Sequence, residues 1–336
     1  MPEIRKDAIT GNYVIIAAER SKRPHDFTLP PEQKKGQSCV FCYGSEDKTP
    51  PEVLAVRPCG GPPDSPGWLV RAFPNKFPAV SPDSAIIADG PMDNRVLNAI
   101  GIHEVLVDSP GHNDSLGRVS DEQAELVLVS LLKRFQALSG DSRVKYIQVF
   151  KNSGAAGGAS LEHTHWQIIT VPVAPTVVEA EFTGVKQHFR RTGSCIYCQL
   201  AENEILEGER IVEATDEFVV LTPFASRFPY ELWILPRNHK ADFGRVTQQE
   251  AKTLGRVLRR TVRRFERAFN YPPYNIVLHT SPIQRGYEIF HWHMEILPRL
   301  SVTAGFEWGS GIFINPTSPE TAAATLRDTD PQVLED

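Results

Sequence analysis

No apolar run in this sequence approaches the roughly 18 residues that a membrane helix needs. The opening, MPEIRKDAITG, lacks the apolar core of a secretory signal, so the expected location is the cytoplasm. Positive charge is not in excess. Thirty-six Lys and Arg against 41 Asp and Glu leave a net charge of −5, and no basic field points to nucleic acid. Cysteine is sparse, at 5 in 336 residues, which excludes a disulfide scaffold. What is present is a soluble globular composition, 41% hydrophobic and 23% charged, long enough for one large or two medium domains. The 27 prolines imply many turns rather than a helical bundle.

Four of the cysteines form two pairs, 38-SCVFC-42 and 194-SCIYC-198. In a cytosolic chain a Cys-x-x-Cys is a metal clip or a redox pair more often than a disulfide, and histidines downstream favour metal. Cys59, in RPCGG, has no assigned role.

The landmarks recur in one order. Cys39-x-x-Cys42, FPNKFPAV (73–80), EVLVDSPGH (104–112) and His163-Thr-His165 match Cys195-x-x-Cys198, FASRFPYE (224–231), ELWILPRNH (231–239) and His291-Trp-His293. YIQVFKN (146–152) aligns without gaps with YNIVLHT (274–280), an offset that also takes His163 to His291, His165 to His293 and Gln167 to Glu295. The expectation is a duplicated α+β unit, 1–185 and 186–336. Each unit has one clear amphipathic helix, 120–138 and 247–269, opened by capping-box patterns at Ser120/Gln123 and Thr247/Glu250. With short connections between strands, each unit reads as an antiparallel sheet carrying a packed helix. The arginine-rich face of the second helix is expected to be solvated.

On a strand, alternate side chains share a face, so His163, His165 and Gln167 project one way and Thr164 and Trp166 the other. One histidine can anchor a metal while its neighbour stays free for chemistry. Cys39, Cys42, His112 and either His163 or His165 would complete a Cys2His2 zinc set. A strand histidine pair is by itself often only a hydrogen-bonded core pair; the duplicated Cys-x-x-Cys and lone histidine argue for more. The small-residue run 153-SGAAGGAS-160 lets backbone approach a ligand and offers N–H groups to phosphate oxygens, although such a run alone can be a flexible turn. A neutral imidazole is a nucleophile toward phosphorus near pH 7, and the Gln167 amide could donate to a phosphoryl oxygen as charge builds. That arrangement predicts a covalent phospho-imidazole.

The residues RKDAITGNYVIIAAERSKRP (5–24), NKFP (75–78), VDSPGH (107–112) and FKNSGAAGGASLEHTHWQ (150–167) together resemble the galactose-1-phosphate uridylyltransferase family, the two-repeat branch of the histidine-triad superfamily. The similarity runs from about residue 5 to 328, with HTHWQ where the family has His-Pro-His-x-Gln. It implies that His165 takes a nucleoside monophosphate from a nucleotide sugar, UDP-glucose or ADP-glucose, with Gln167 and Ser160 holding the phosphoryl group. It further implies substrate contacts from Arg20, Arg23, Asn75, Phe77, Asn152 and Gly158, and zinc on Cys39, Cys42, His112 and His163. A second zinc on Cys195, Cys198, His239 and His291 is expected, against a rival set of Glu181, His279, His291 and His293. His293 is expected to contact substrate or support the fold. Glu295 would repel a phosphate dianion, making the second unit non-catalytic. Homodimerisation is usual in the family.

Departures blur the substrate. Lys76 stands where galactose enzymes carry Asp, and Phe313 or Ile314 where a hexose-reading glutamine is expected. The tail 305–327 and the twin Cys-x-x-Cys look closer to ADP-glucose phosphorylases, whose acceptor is inorganic phosphate rather than a hexose 1-phosphate. The main expectation is uridylyl transfer between hexose 1-phosphates, with ADP-glucose phosphorolysis the alternative. Nucleotide-sugar hydrolysis and a non-catalytic, zinc-stapled nucleotide-binding protein follow.

Overall fold

The computed structural model describes residues 1–22, 39–83, 88–89, 96–283 and 286–330. Two short strands open the chain, β1 (Glu3–Lys6) and β2 (Tyr13–Ile16). The first half continues with β3 (Leu54–Val56), β4 (Val70–Pro74), a small β5 (Ala88–Asp89) and β6 (Val96–Leu97) ladder, and β7 (His103–Val107). Helix α1 (Asp121–Leu138), β8 (Tyr146–Ser153) and β9 (His165–Val171) follow. Helices α2 (Thr176–Thr192) and α3 (Ile196–Glu207) lead into β10 (Ile211–Ala214), β11 (Phe218–Leu221), β12 (Leu232–Pro236), α4 (Gln248–Phe269), β13 (Tyr274–His279) and β14 (His293–Pro298). The chain ends in α5 (Gly305–Ser310), β15 (Phe313–Asn315) and α6 (Pro319–Asp328).

Ten strands form one antiparallel sheet in the order β10-β11-β12-β14-β13-β8-β9-β7-β4-β3. Five come from each half, and the order reads the same from either end: β8 and β13 pair in the middle, with Phe150 opposite Val277 and Asn152 opposite Asn275. Each half thereby spends on the other what would be an exposed edge. The two central strands are equivalent one residue away from the ungapped alignment. His279 stands opposite His293, and the β8–β9 register, carried one residue past the Lys151–Trp166 pair, sets Asn152 opposite His165. Asn152 thus matches His279, not Thr280. The second half has one more residue between these strands, and a one-residue slip exchanges the faces of a strand.

Helices α1 and α4 pack together over one face, closing the main core of Leu, Val, Ile and aromatic side chains. They approach closely because Gly255 has no side chain; a Cβ there would lie 2.6 Å from the Ala124 carbonyl oxygen. Thr247 and Glu250 form the expected capping box. At Ser120 only half of it forms, since the Gln123 amide donates instead to the carbonyls of Leu69 and Asp108. The arginines of α4 are not simply solvated: Arg256 pairs with Glu125, Arg260 with Glu213 and Arg259 with Asp121.

On the opposite face, α2 and α3 cover the second half with Val185, Ile196 and Tyr197 against Val219, Leu221, Trp233 and Leu235. Residue 185, the anticipated boundary, lies inside α2. The strand β15 runs parallel to β2, and Arg5 ties α6 to the N-terminus through Glu320 at 2.8 Å. No helix among the described residues is long and apolar enough to cross a membrane.

Candidate functional site and metal-binding groups

Two four-residue groups emerge directly from the sequence landmarks. Cys39, Cys42, His112 and His163 converge in the first half, and Cys195, Cys198, His239 and His291 in the second. His163, not His165, joins the first. His163 Nδ1 lies 3.6 Å from both Cys39 and Cys42 Sγ, and His112 Nδ1 3.4 Å from Cys42 Sγ. A tetrahedral ion with bonds of about 2.3 Å to sulfur and 2.0–2.1 Å to nitrogen separates its donors by roughly 3.4–3.8 Å. The second group has the same spacing, with His291 Nδ1 3.6 and 3.5 Å from the two sulfurs and His239 Nδ1 3.7 Å from Cys198 Sγ. The far nitrogens complete the fit: His163, His291 and His239 donate Nε2–H to the carbonyls of Ser109, Pro236 and Glu288. That fixes the tautomer with the Nδ1 lone pair turned inward.

His165 follows on β9. Its Nδ1–H donates to the His163 carbonyl at 2.8 Å, so the lone pair sits on Nε2. The ring is 5% exposed and meets the edge of Phe41. Burial pushes its pKa below the ordinary value, partly offset by the His163 carbonyl, and the imidazole is neutral at neutral pH. Behind it, Lys151 Nζ donates to Asp108 at 2.8 Å, to Thr164 Oγ1 at 2.6 Å and to the His165 carbonyl at 3.3 Å. Trp166 Nε1–H adds a bond to the same Asp108 oxygen.

Gln167 comes next on the His165 face. Its Oε1 is 2.8 Å from His103 Nε2, and the Ala79 backbone N–H donates to His103 Nδ1, which leaves Nε2 as the protonated nitrogen. Asn75 Oδ1 accepts from the Phe77 N–H, and its Nδ2 stands 3.1 Å from the same His103 Nε2, a donor beside a donor and not a hydrogen bond in this tautomer. On the other flank, the glycine run bends through Gly154 and Gly158 at φ +72° and +81°. Gly157 lies so close to β13 that a Cβ would fall 2.8 Å from the Tyr274 carbonyl oxygen.

The sheet therefore brings His165, Gln167, Asn152 and the glycine run into one neighbourhood, with Asn75 beside His103. Ser160 sits exposed on the turn between the run and β9. Phe77 is 84% exposed, and Arg20 is an exposed residue of a short 3-10 turn. Arg23 lies outside the described residues.

The matching place in the second half is sealed. His293, expected to contact substrate or support the fold, is 0% exposed beneath Tyr197, Trp233 and Phe290. Glu295 is buried on Arg227 at 2.6 Å. Together with Glu181 and His279, these two residues form a third group of potential ligands. The rival set of four is corrected accordingly: His291 belongs with the cysteines and Glu295 takes its place. His279 Nδ1 is 2.7 Å from Glu181 Oε1. Burial pushes the imidazole down, but Glu181 and Glu295 outweigh it and hold the pKa at about 9.

His103, Lys151, Asp108 and Asn275 also shape the site, and no motif singles them out in the sequence. Asn275 has a signal, a polar residue in the mainly apolar run YNIVLH; Lys151 has none, since its strand YIQVFKNS also holds Gln148 and Asn152. His103 stands one residue before the strand-like run EVLV, 104–107.

Comparison with known proteins sets these groups in context. A family model described as a domain of unknown function, DUF4921, matches residues 111–330. An ADP-glucose phosphorylase of Arabidopsis thaliana is 34% identical over 97% of this chain and 93% of its own length. A galactose-1-phosphate uridylyltransferase of Thermotoga maritima is 30% identical over 99% of this chain and 100% of its own. The crystal structure of an Arabidopsis thaliana ADP-glucose phosphorylase with bound ADP-glucose superposes with a TM-score of 0.83, at 32% identity over 98% of both chains.

Proposed function

Because this chain belongs to the galactose-1-phosphate uridylyltransferase family, the two-repeat branch of the histidine-triad superfamily, we propose that it transfers a nucleoside monophosphate through His165. The Nε2 lone pair attacks the α-phosphorus of a nucleotide sugar. The bond from that phosphorus to the bridging oxygen breaks, and the hexose 1-phosphate leaves with the electron pair. An acceptor oxygen then attacks the same phosphorus, the P–N bond breaks, and the neutral imidazole returns. The amide groups of Gln167 and Asn152 donate to the non-bridging oxygens as charge builds, and the glycine run offers backbone N–H groups, with Ser160 at its end. Asn75, Phe77, Gly158, Arg20 and Arg23 are assigned to substrate as a group. Residues 1–185 and 186–336 are read as a catalytic and a non-catalytic unit, acting as a homodimer.

The observation that carries this reading is the fixed tautomer of His165, with Nδ1–H committed to the His163 carbonyl and Nε2 left as the nucleophile. Zinc fits the two Cys2His2 groups and, when bound, would hold His163, and through its carbonyl the His165 ring, in place.

ADP-glucose is the favoured donor and inorganic phosphate the favoured acceptor. This rests on the 34% identical relative, the twin Cys-x-x-Cys, and Lys76 and Phe313 in the positions where galactose enzymes differ. UDP-glucose with galactose 1-phosphate as acceptor is the second reading, supported by the 30% identical relative. Intact-protein mass spectrometry after mixing with ADP-glucose or UDP-glucose tests both. The expected result is one nucleoside monophosphate added at His165 from ADP-glucose, discharged by phosphate and absent in His165→Asn. An adduct from UDP-glucose alone selects the second reading. Tight nucleotide binding with no adduct from either refutes transfer and leaves a binding protein.

A further inference from the structure

Asn152 has an amide whose two ends differ only in what they can do. One accepts and the other donates, and a phosphoryl oxygen can use only the donor. Something must set which end faces His165, and the partner that does so belongs to the other half of the chain. Across the central seam of the sheet, Asn275 stands directly opposite Asn152. Its Oδ1 accepts from Arg299 Nε at 2.6 Å. Its Nδ2 donates to the Gly157 carbonyl at 2.6 Å and to Asn152 Oδ1 at 2.8 Å.

This orientation is not a free choice. A guanidinium only donates and a backbone carbonyl only accepts, so turning the Asn275 amide over would break both bonds at once. Asn275 is 8% exposed, and buried polar groups left without partners cost about 1–3 kcal/mol each. With Asn275 fixed, Asn152 Oδ1 is fixed as acceptor, and its N–H2 is turned to the glycine run. A Cβ built on Gly158 would lie 3.9 Å from Asn152 Nδ2. The other half lacks the device. The residue related to Asn275 by the sheet's two-fold order is Gln148, whose amide donates to the carbonyls of Val149 and Leu278, while His279 is held by Glu181.

We infer that Asn275, held by Arg299, is a positioning residue for the transfer: it sets the amide polarity of Asn152 so that the first half's site receives phosphate through a donor. The inference rests on the transfer reading above. It also gives the second half, whose copy of the histidine is buried, a part in the chemistry of the first.

The test is a double-mutant cycle read as the single-turnover rate of His165 loading at saturating ADP-glucose, with UDP-glucose run in parallel. Nucleotide affinity and melting temperature are measured alongside. Asn152→Ala removes one phosphoryl donor and is expected to slow loading by about 100-fold. Asn275→Ala frees the Asn152 amide to turn and is expected to slow it by about tenfold, with affinity changed less than about twofold. Asn275→Asp keeps the Arg299 contact but reverses the polarity, so it is expected to be slower than Asn275→Ala. In the Asn152→Ala background, Asn275→Ala is expected to change the rate by less than about twofold, because its effect passes through Asn152.

If Asn275→Ala costs the same with and without Asn152, its part is structural and the inference is overturned. Unchanged loading in Asn275→Ala or Asn275→Asp overturns it equally. Arg299→Met, half-buried at the end of the relay, provides a variant that leaves the strand intact and is expected to slow loading about threefold in the presence of Asn152 only. If the Asn275 variants do not fold, an equal effect of Arg299→Met in both backgrounds overturns the inference. Failure of the wild-type chain to load from either sugar is a different result and refutes the transfer reading itself.

Discussion

Lys151 is the most exposed weakness in a buried setting. Its ammonium and the Asp108 carboxylate are 2.8 Å apart with both side chains 2% exposed, directly behind the His165 strand. Replacing Lys151 with Met keeps most of the stem volume and removes the charge. Asp108 would then keep only the Trp166 indole donor at 3.1 Å, and its Oδ1 already has no partner. Breaking one side of a buried pair costs about 3–5 kcal/mol, because the remaining charge is stranded without water. At about 2–4 °C per kcal/mol for a chain of this order of size, Lys151→Met should melt roughly 6–20 °C below wild type. Lys151→Met combined with Asp108→Leu removes both charges and should recover most of that loss, since an apolar replacement of a whole pair is near neutral. Differential scanning calorimetry of the three proteins at matched metal content makes the comparison. A single variant within about 2 °C of wild type would show that water or a shifted proton relieves Asp108, and a double variant as unstable as the single would place the stability in the Thr164 and His165 contacts instead.

Two further outcomes follow from other parts of the molecule. Stripping metal with a chelator should lower the melting temperature as well as activity, because a Cys2His2 ion adds folding free energy; an unchanged melt with the metal verifiably gone would rule that out. Burial pushes the Glu320 carboxyl up, but the hydrogen bonds from Arg5 and Arg210 outweigh it and hold the pKa at about 2, against 4.5 ordinarily. A depressed carboxyl contributes stability above pH 4.5 and loses it as pH falls toward 2. Protection of the α6 amides, measured against their intrinsic exchange rates, should therefore fall below pH 4.5 before the sheet opens, and a Glu320→Gln chain should show low protection there already at pH 7; protection independent of both would refute the clasp.

The two Cys2His2 groups and the common face of His163, His165 and Gln167 were legible in the sequence. So were the duplication and the cap of α4 at Thr247. The shared face and the cap depend on spacing along a few residues, where strand alternation and helical caps act locally; the duplication rests on landmarks that recur in one order, and the ligand sets on those landmarks together with the family resemblance. The tertiary structure decided the rest. The true register of the central strands differs by one residue from the best ungapped alignment, and only pairing across the sheet reveals it. His293 looked like a copy of His165, yet α3 brings Tyr197 down on it and Arg227 neutralises Glu295. Asn275 stands out in the sequence only as a polar residue in an apolar strand; its partner, Asn152, is decided where the two halves meet edge to edge. A sequence encodes which groups are available and the faces they share; which group meets which depends on contacts between residues 68 to 123 positions apart, and those exist only once the chain has folded.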